Sequence, residues 1–201
     1  MGRFSQAISE GDGISIVPVL DAEVAAVAMR AEEAGAEAIA VSTREVQEAR
    51  AATSLPLIVD GGIYDRRDVE RLEPLGADGW ILVLDGDRDK EERMDELLPV
   101  ALGLGVDCAI EVWDAENLAD VLARFDPEIL VIAHPRPDNA EGELEYILDL
   151  LPDVPAGKLV IARLRSDMLP EQVIALERAG VDAVLVGAEV FSDVLAELTG
   201  R

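Results

Sequence analysis

Glu111 ends the apolar run Val106-Asp-Cys-Ala-Ile-Glu111 and is followed by Val112-Trp113-Asp114. A carboxylate at the tip of an apolar strand is a candidate general acid or base. Burial favours the proton-carrying form, whereas a neighbouring arginine favours the carboxylate. Asp60 closes a similar run, Leu55-Pro-Leu-Ile-Val-Asp60, and His134 follows Glu128-Ile-Leu-Val-Ile-Ala133. His134 is the only histidine, which rules out a histidine-rich metal site but leaves a proton shuttle. These three make up the candidate catalytic set. Arg163 ends Lys158-Leu-Val-Ile-Ala-Arg163, with Arg165 two residues on, and Arg136 lies in His-Pro-Arg-Pro-Asp. With Gly187 and Ala188, where backbone amides open a helix, these arginines are candidates for binding a phosphate. Glu189 in that first turn competes for the same dipole. Asp60-Gly-Gly-Ile63 is a weaker candidate anion nest. A hard cation held by Asp60, Asp85 and Glu111 has no spacing rule behind it, so no metal ligand is assigned.

The elements that must position these residues repeat along the chain. Eight continuously apolar strand segments, at 14–20, 37–41, 55–60, 79–84, 106–112, 128–133, 158–163 and 181–187, each precede a helical segment. Strands apolar on both faces belong to a parallel sheet covered by helices. Helices end in Gly-Ala or Gly-Val at Gly35, Gly76, Gly105 and Gly180, as left-handed C-caps require. Eight βα units predict an α/β protein, a closed (β/α)₈ TIM barrel forming one domain over 1–201. At 201 residues the barrel is compact, about 50 residues below the usual size. Functional residues of this fold lie at the C-terminal ends of strands. That rule gathers Asp21, Ser42, Asp60, Asp85, Asp87, Glu111, His134, Arg136, Arg163, Arg165 and Gly187 on one rim.

Composition removes other classes. Half of the chain is hydrophobic but only 3% is aromatic, so short aliphatic side chains must fill the core. With 42 acidic against 17 basic residues the formal charge is -25, which opposes binding to nucleic acid or to an anionic membrane. The single Cys108 cannot form an internal disulfide and reads as a buried thiol. The N-terminal segment lacks the apolar stretch of a secretion signal, so the expected location is cytoplasmic.

Several segments resemble the indole-3-glycerol phosphate synthase family, a tryptophan-biosynthesis barrel. Leu55–Val83, with LPLIVDGGIYDRRDVERLEPLGADGWILV, is similar to its third and fourth units, and VDCAIEVWDAENLADVL to its fifth. AEEAGAEAIAVST and AGVDAVLVGAEVF resemble its second and eighth, and RFSQAISEGDGISIVPVL the approach to its first. The family's N-terminal helical extension has no counterpart in this match. The resemblance implies a carbon–carbon lyase that closes a phosphorylated anilino-ribulose to an indole, losing carbon dioxide and water, without cofactor or metal. It also implies a strand-three lysine as general acid, glutamates on strands five and seven, and phosphate held around strands seven and eight.

Glu111 matches the strand-five glutamate, Arg136 matches in part, and the Gly187 region matches the phosphate loop. Asp60 stands in place of the lysine. Val19 and Asp21 replace a glutamate and a lysine, and Ile161-Ala162-Arg163 replaces Ser-Glu-Ser. The implied function is therefore a divergent synthase-like protein that acts on or binds a phosphorylated metabolite, with the usual activity weak or absent. The competing readings are a non-catalytic barrel that binds a metabolite anion or a partner protein, and a different enzyme built on the carboxylate rim. A partner enzyme or homo-oligomer is compatible with each.

Overall fold

The computed structural model describes residues 2–11, 13–61, 65–83, 88–135, 140–164, 170–191 and 194, with the backbone alone at 88–94 and 140. Its eight strands are β1 (Ser15–Leu20), β2 (Ile39–Val41), β3 (Leu57–Asp60), β4 (Gly79–Val83), β5 (Asp107–Val112), β6 (Ile129–Ala133), β7 (Leu159–Arg163) and β8 (Ala183–Gly187). They pair in parallel and in chain order, and β8 returns to β1 to close a barrel. This is the predicted (β/α)₈ architecture.

Among the described residues, helices alternate with the strands: α2 (Val24–Ala34), α3 (Val46–Ala52), α4 (Arg66–Leu75), α5 (Arg88–Gly103), α6 (Ala115–Arg124), α7 (Ala140–Leu150) and α8 (Pro170–Ala179). Helical backbone resumes at 188–191 after β8. Gly35 and Gly76 end α2 and α4 with φ of 94° and 88°, each amide returning to the helix's last carbonyls. A side chain there would strain the left-handed cap that turns the chain toward the next strand.

Because both strand faces are apolar, two cores form on opposite sides of one sheet. Ile16, Leu20, Ile39, Val41, Leu57, Val59, Trp80, Ile110 and Val184 pack outward beneath the helices. Val17, Ala38, Ala40, Ile58, Ile81, Ala109, Val131, Ile161 and Leu185 fill the barrel. This alternation fixes which strand residues face the lumen.

A short helix that the sequence reading did not separate, α1 (Arg3–Ser9), precedes β1. It sends Phe4 and Ile8 into the interior core. Asp107, at the inward start of β5, accepts hydrogen bonds from Gly2 N, Ser5 N and Ser5 Oγ at 2.8, 2.8 and 3.1 Å. The N-terminal end of the barrel is thereby plugged. Among the described residues no helix is long and apolar enough to cross a membrane.

Cys108 points the other way, packed against the outer core. Burial of its thiol, aided by the Asp107 carboxylate, pushes its pKa up to about 12. Alkylation needs the thiolate. Iodoacetamide at pH 8 should therefore modify the native protein on the order of 10³-fold more slowly than a free thiol. Urea should restore the ordinary rate, and mass spectrometry over time reads both.

Candidate active site

Inward alternation carries the last residues of three strands into the C-terminal mouth. Ile58 faces the lumen, so Asp60 does; Ala109 leads to Glu111, and Ile161 to Arg163. In an eight-stranded ring β3 and β7 lie opposite one another, with β5 midway between them. Arg163 spans that gap. Its Nη1 and Nη2 donate to Asp60 Oδ2 and Oδ1 at 2.6 and 2.9 Å, a bidentate pair. Its Nε lies 2.6 Å from Glu111 Oε2.

The cluster is largely withdrawn from water. Side-chain exposure is 11% for Arg163, 21% for Asp60 and 5% for Glu111. Burial alone would lower the pKa of Arg163, but the Asp60 hydrogen bonds and the charges of Glu111 and Asp60 outweigh it and raise the value. Two carboxylates against one guanidinium leave the triad with one net negative charge. Arg163 is the one basic residue at a strand position among the described residues. Val83, in register with Glu111, adds an exposed apolar edge to the mouth.

The other described candidates sit at further points of the rim. Ala133 is the residue in register with Arg163, so His134 falls on the following, outward step. There it meets the ring of Tyr146 on α7 edge-on, with centroids 4.3 Å apart, while the Tyr146 hydroxyl donates to Trp113 O. Gly187 ends β8 on an inward position and pairs with Val19, and Ala188 begins the next helical segment. A methyl group added at Gly187 would collide with the carboxylate of Glu189. That carboxylate therefore lies on the lumen side of Gly187. Asp21 is exposed beyond β1, and the Ser42 amide donates to Glu45 Oε2 at 3.1 Å. Gly61 has φ of 81° and accepts from Thr43 Oγ1 at 2.8 Å. Arg136, Arg165, Asp85, Asp87, Gly62 and Ile63 lie outside the described residues. No three His, Cys, Asp or Glu side chains among the described residues are grouped to hold a metal ion.

A closed parallel barrel with an ionic cluster at the C-terminal ends of its strands is a (β/α)₈ protein with its polar residues where that fold carries chemistry. Residues 17–197 match the family model described as indole-3-glycerol phosphate synthase, and the chain belongs to that family. It is 31% identical over 176 residues to the indole-3-glycerol phosphate synthase of Geobacillus thermodenitrificans (strain NG80-2), covering 83% of this chain and 67% of that protein. Synthases of Geobacillus sp. (strain WCH70) and Shouchella clausii (strain KSM-K16) are 30% and 28% identical. Those matches cover 81% and 82% of this chain, and 65% and 67% of the relatives. The chain thus spans about two thirds of the length of these relatives.

Proposed function

We propose that the mouth is the ligand site of a divergent synthase-family barrel in which the family's ring-closing turnover is weak or absent. Glu111 is its remaining acid or base, Asp60 and Arg163 are the groups that orient it, and His134 is outside the reacting cluster. The observation that carries this reading is the Asp60–Arg163 pair across the lumen. The resembled family has a lysine on strand three and a glutamate on strand seven. Here Ala162 stands in place of that glutamate with Arg163 next to it, and the strand-three group is a carboxylate already committed to a guanidinium.

A proton can be delivered only by a group that holds one and is free to reach the substrate. A carboxylate bound to Arg163 also supplies no positive field to a developing anion. Loss of a positioned general acid costs roughly 10²–10⁴-fold in rate. With the family's phosphorylated anilino-ribulose substrate, this protein should form indole product slower by about that factor than the Geobacillus thermodenitrificans relative assayed beside it. Glu111→Gln should abolish any residual turnover. Equal rates in the two proteins, or residual turnover unchanged in Glu111→Gln, would overturn the reading.

A further inference from the structure

We infer that the N-terminal face of the barrel, opposite the mouth, carries a ligand site of its own: a cleft in which Arg3, backed by Arg50, takes the carboxylate of a small aliphatic acid. The inference does not depend on what the mouth binds. It comes from the shape of the cleft, the disposition of its two guanidiniums and the nature of its remaining wall.

The cleft opens between αβ turns. Residues 76–78 lead from α4 to β4 and residues 104–106 from α5 to β5, and both turns wall it together with Arg3, Arg50 and Glu73. It encloses about 470 Å³, a volume suited to a small organic ligand. Arg50 is fixed as part of the wall. Its Nη1 donates to Gly76 O and Asp78 Oδ2 at 3.4 and 3.3 Å, and its Nη2 to Thr53 O and Leu55 O at 2.5 and 2.7 Å. Its stem covers Gly76, where an added Cβ would strike Cγ and Cδ.

Arg3 is held less completely. Its Nη1 donates to Asp78 and its Nη2 to Ser54 O, while Nε makes no hydrogen bond among the described residues. Half of the side chain is exposed. Two guanidiniums thus share the one carboxylate of Asp78, leaving a positive charge in a chain whose formal charge is -25. Burial lowers the pKa of Arg50, and the charge of Arg3 lowers it further against the pull of Asp78. The two cations therefore act on each other, and an anion at Arg3 would relieve both. A carboxylate suits the planar donor edge of a guanidinium, and a monoanion matches the single excess charge. Ala77, Leu104 and Val106 supply an apolar lining. A Cβ at Gly105 would meet nothing within 4 Å, so the backbone there lies open to the body of the ligand. Glu73, exposed on the last turn of α4, opposes a second negative charge.

The test is a calorimetric titration with hexanoate and with its uncharged amide, at about neutral pH and about 0.15 M salt. The wild-type protein should bind hexanoate saturably with a Kd of about 1–10 mM, and the amide at least about tenfold more weakly. Arg3→Gln should weaken hexanoate binding at least about tenfold. Glu73→Gln leaves the two arginines in place and should tighten it about threefold. Arg30→Gln, on the exposed face of α2, changes the net charge as Arg3→Gln does and should bind as the wild type. Absence of saturation by the wild type up to about 50 mM overturns the inference. So does equal binding of the amide, undiminished binding in Arg3→Gln, no gain in Glu73→Gln, or an equal loss in Arg30→Gln. No turnover is read, so either result leaves the assignment of Glu111 standing.

Discussion

Arg163→Met is expected to cost about 3–5 kcal/mol of unfolding free energy, far more than removal of any exposed arginine. The replacement keeps the length of the aliphatic stem but withdraws the guanidinium that joins Asp60 to Glu111. Two mostly buried carboxylates would then share one mouth without the cation that the described residues place between them. Breaking a buried pair is costly because the partner left behind is neither solvated nor compensated. The exposed pair between Arg124 and Asp95, at 3.0 Å, is the internal control. Its guanidinium and carboxylate remain in water, and Arg124→Ala should cost no more than about 1 kcal/mol. Urea unfolding at fixed salt measures both variants. Adding Asp60→Asn to Arg163→Met should recover part of the loss, because it removes one of the stranded charges. A loss below about 1 kcal/mol would refute the account of the triad.

How much of this was legible beforehand differs from residue to residue. The strands were, because Ile129–Ala133 and Ala183–Gly187 are unbroken apolar runs between amphipathic segments. The same double-sided hydrophobicity hides the direction of each side chain, since neither face of such a strand is marked by polar residues. Asp60, Glu111 and Arg163 could be placed on the rim, but their union could not. Asp60 and Arg163 are 103 residues apart, and the pairing depends on two strands being opposite in a closed ring. His134 shows the reverse limit. It follows a strand tip as a catalytic residue would, yet one step of alternation turns it to Tyr146 and the helical layer. For Glu189 the sequence showed the competition for the helix dipole, but not that the carboxylate reaches the lumen side of Gly187. The plug α1 had a faint signal in Phe4 and Ile8, spaced four apart on one helical face. Seven residues are too few for that spacing to stand out.

Phe4→Ala should destabilise the whole barrel by about 3–5 kcal/mol, although it lies in a seven-residue helix at one end of the chain. A helix that short has little stability of its own, so tertiary contacts must hold it. The interior explains why those contacts are large. Ala38, Ala40, Ala109 and Ala183 line the lumen with side chains too small to meet across it. With only three phenylalanines in the chain, Phe4 is the bulky group that occupies this space, and it is wholly buried. Removing the ring would leave a cavity bounded by rigid strands that cannot collapse inward. It would also weaken the docking that brings Gly2 and Ser5 to Asp107, an inward carboxylate that otherwise loses three donors. Phe4→Leu should recover roughly half of the loss, since it restores part of the volume. Urea unfolding gives the global change, and hydrogen exchange at the α1 amides distinguishes it from local fraying. Fast exchange confined to α1 with an unchanged urea midpoint would mean that the plug is peripheral to the core; a lowered midpoint with faster exchange in β5 and β8 means that the barrel is closed around it.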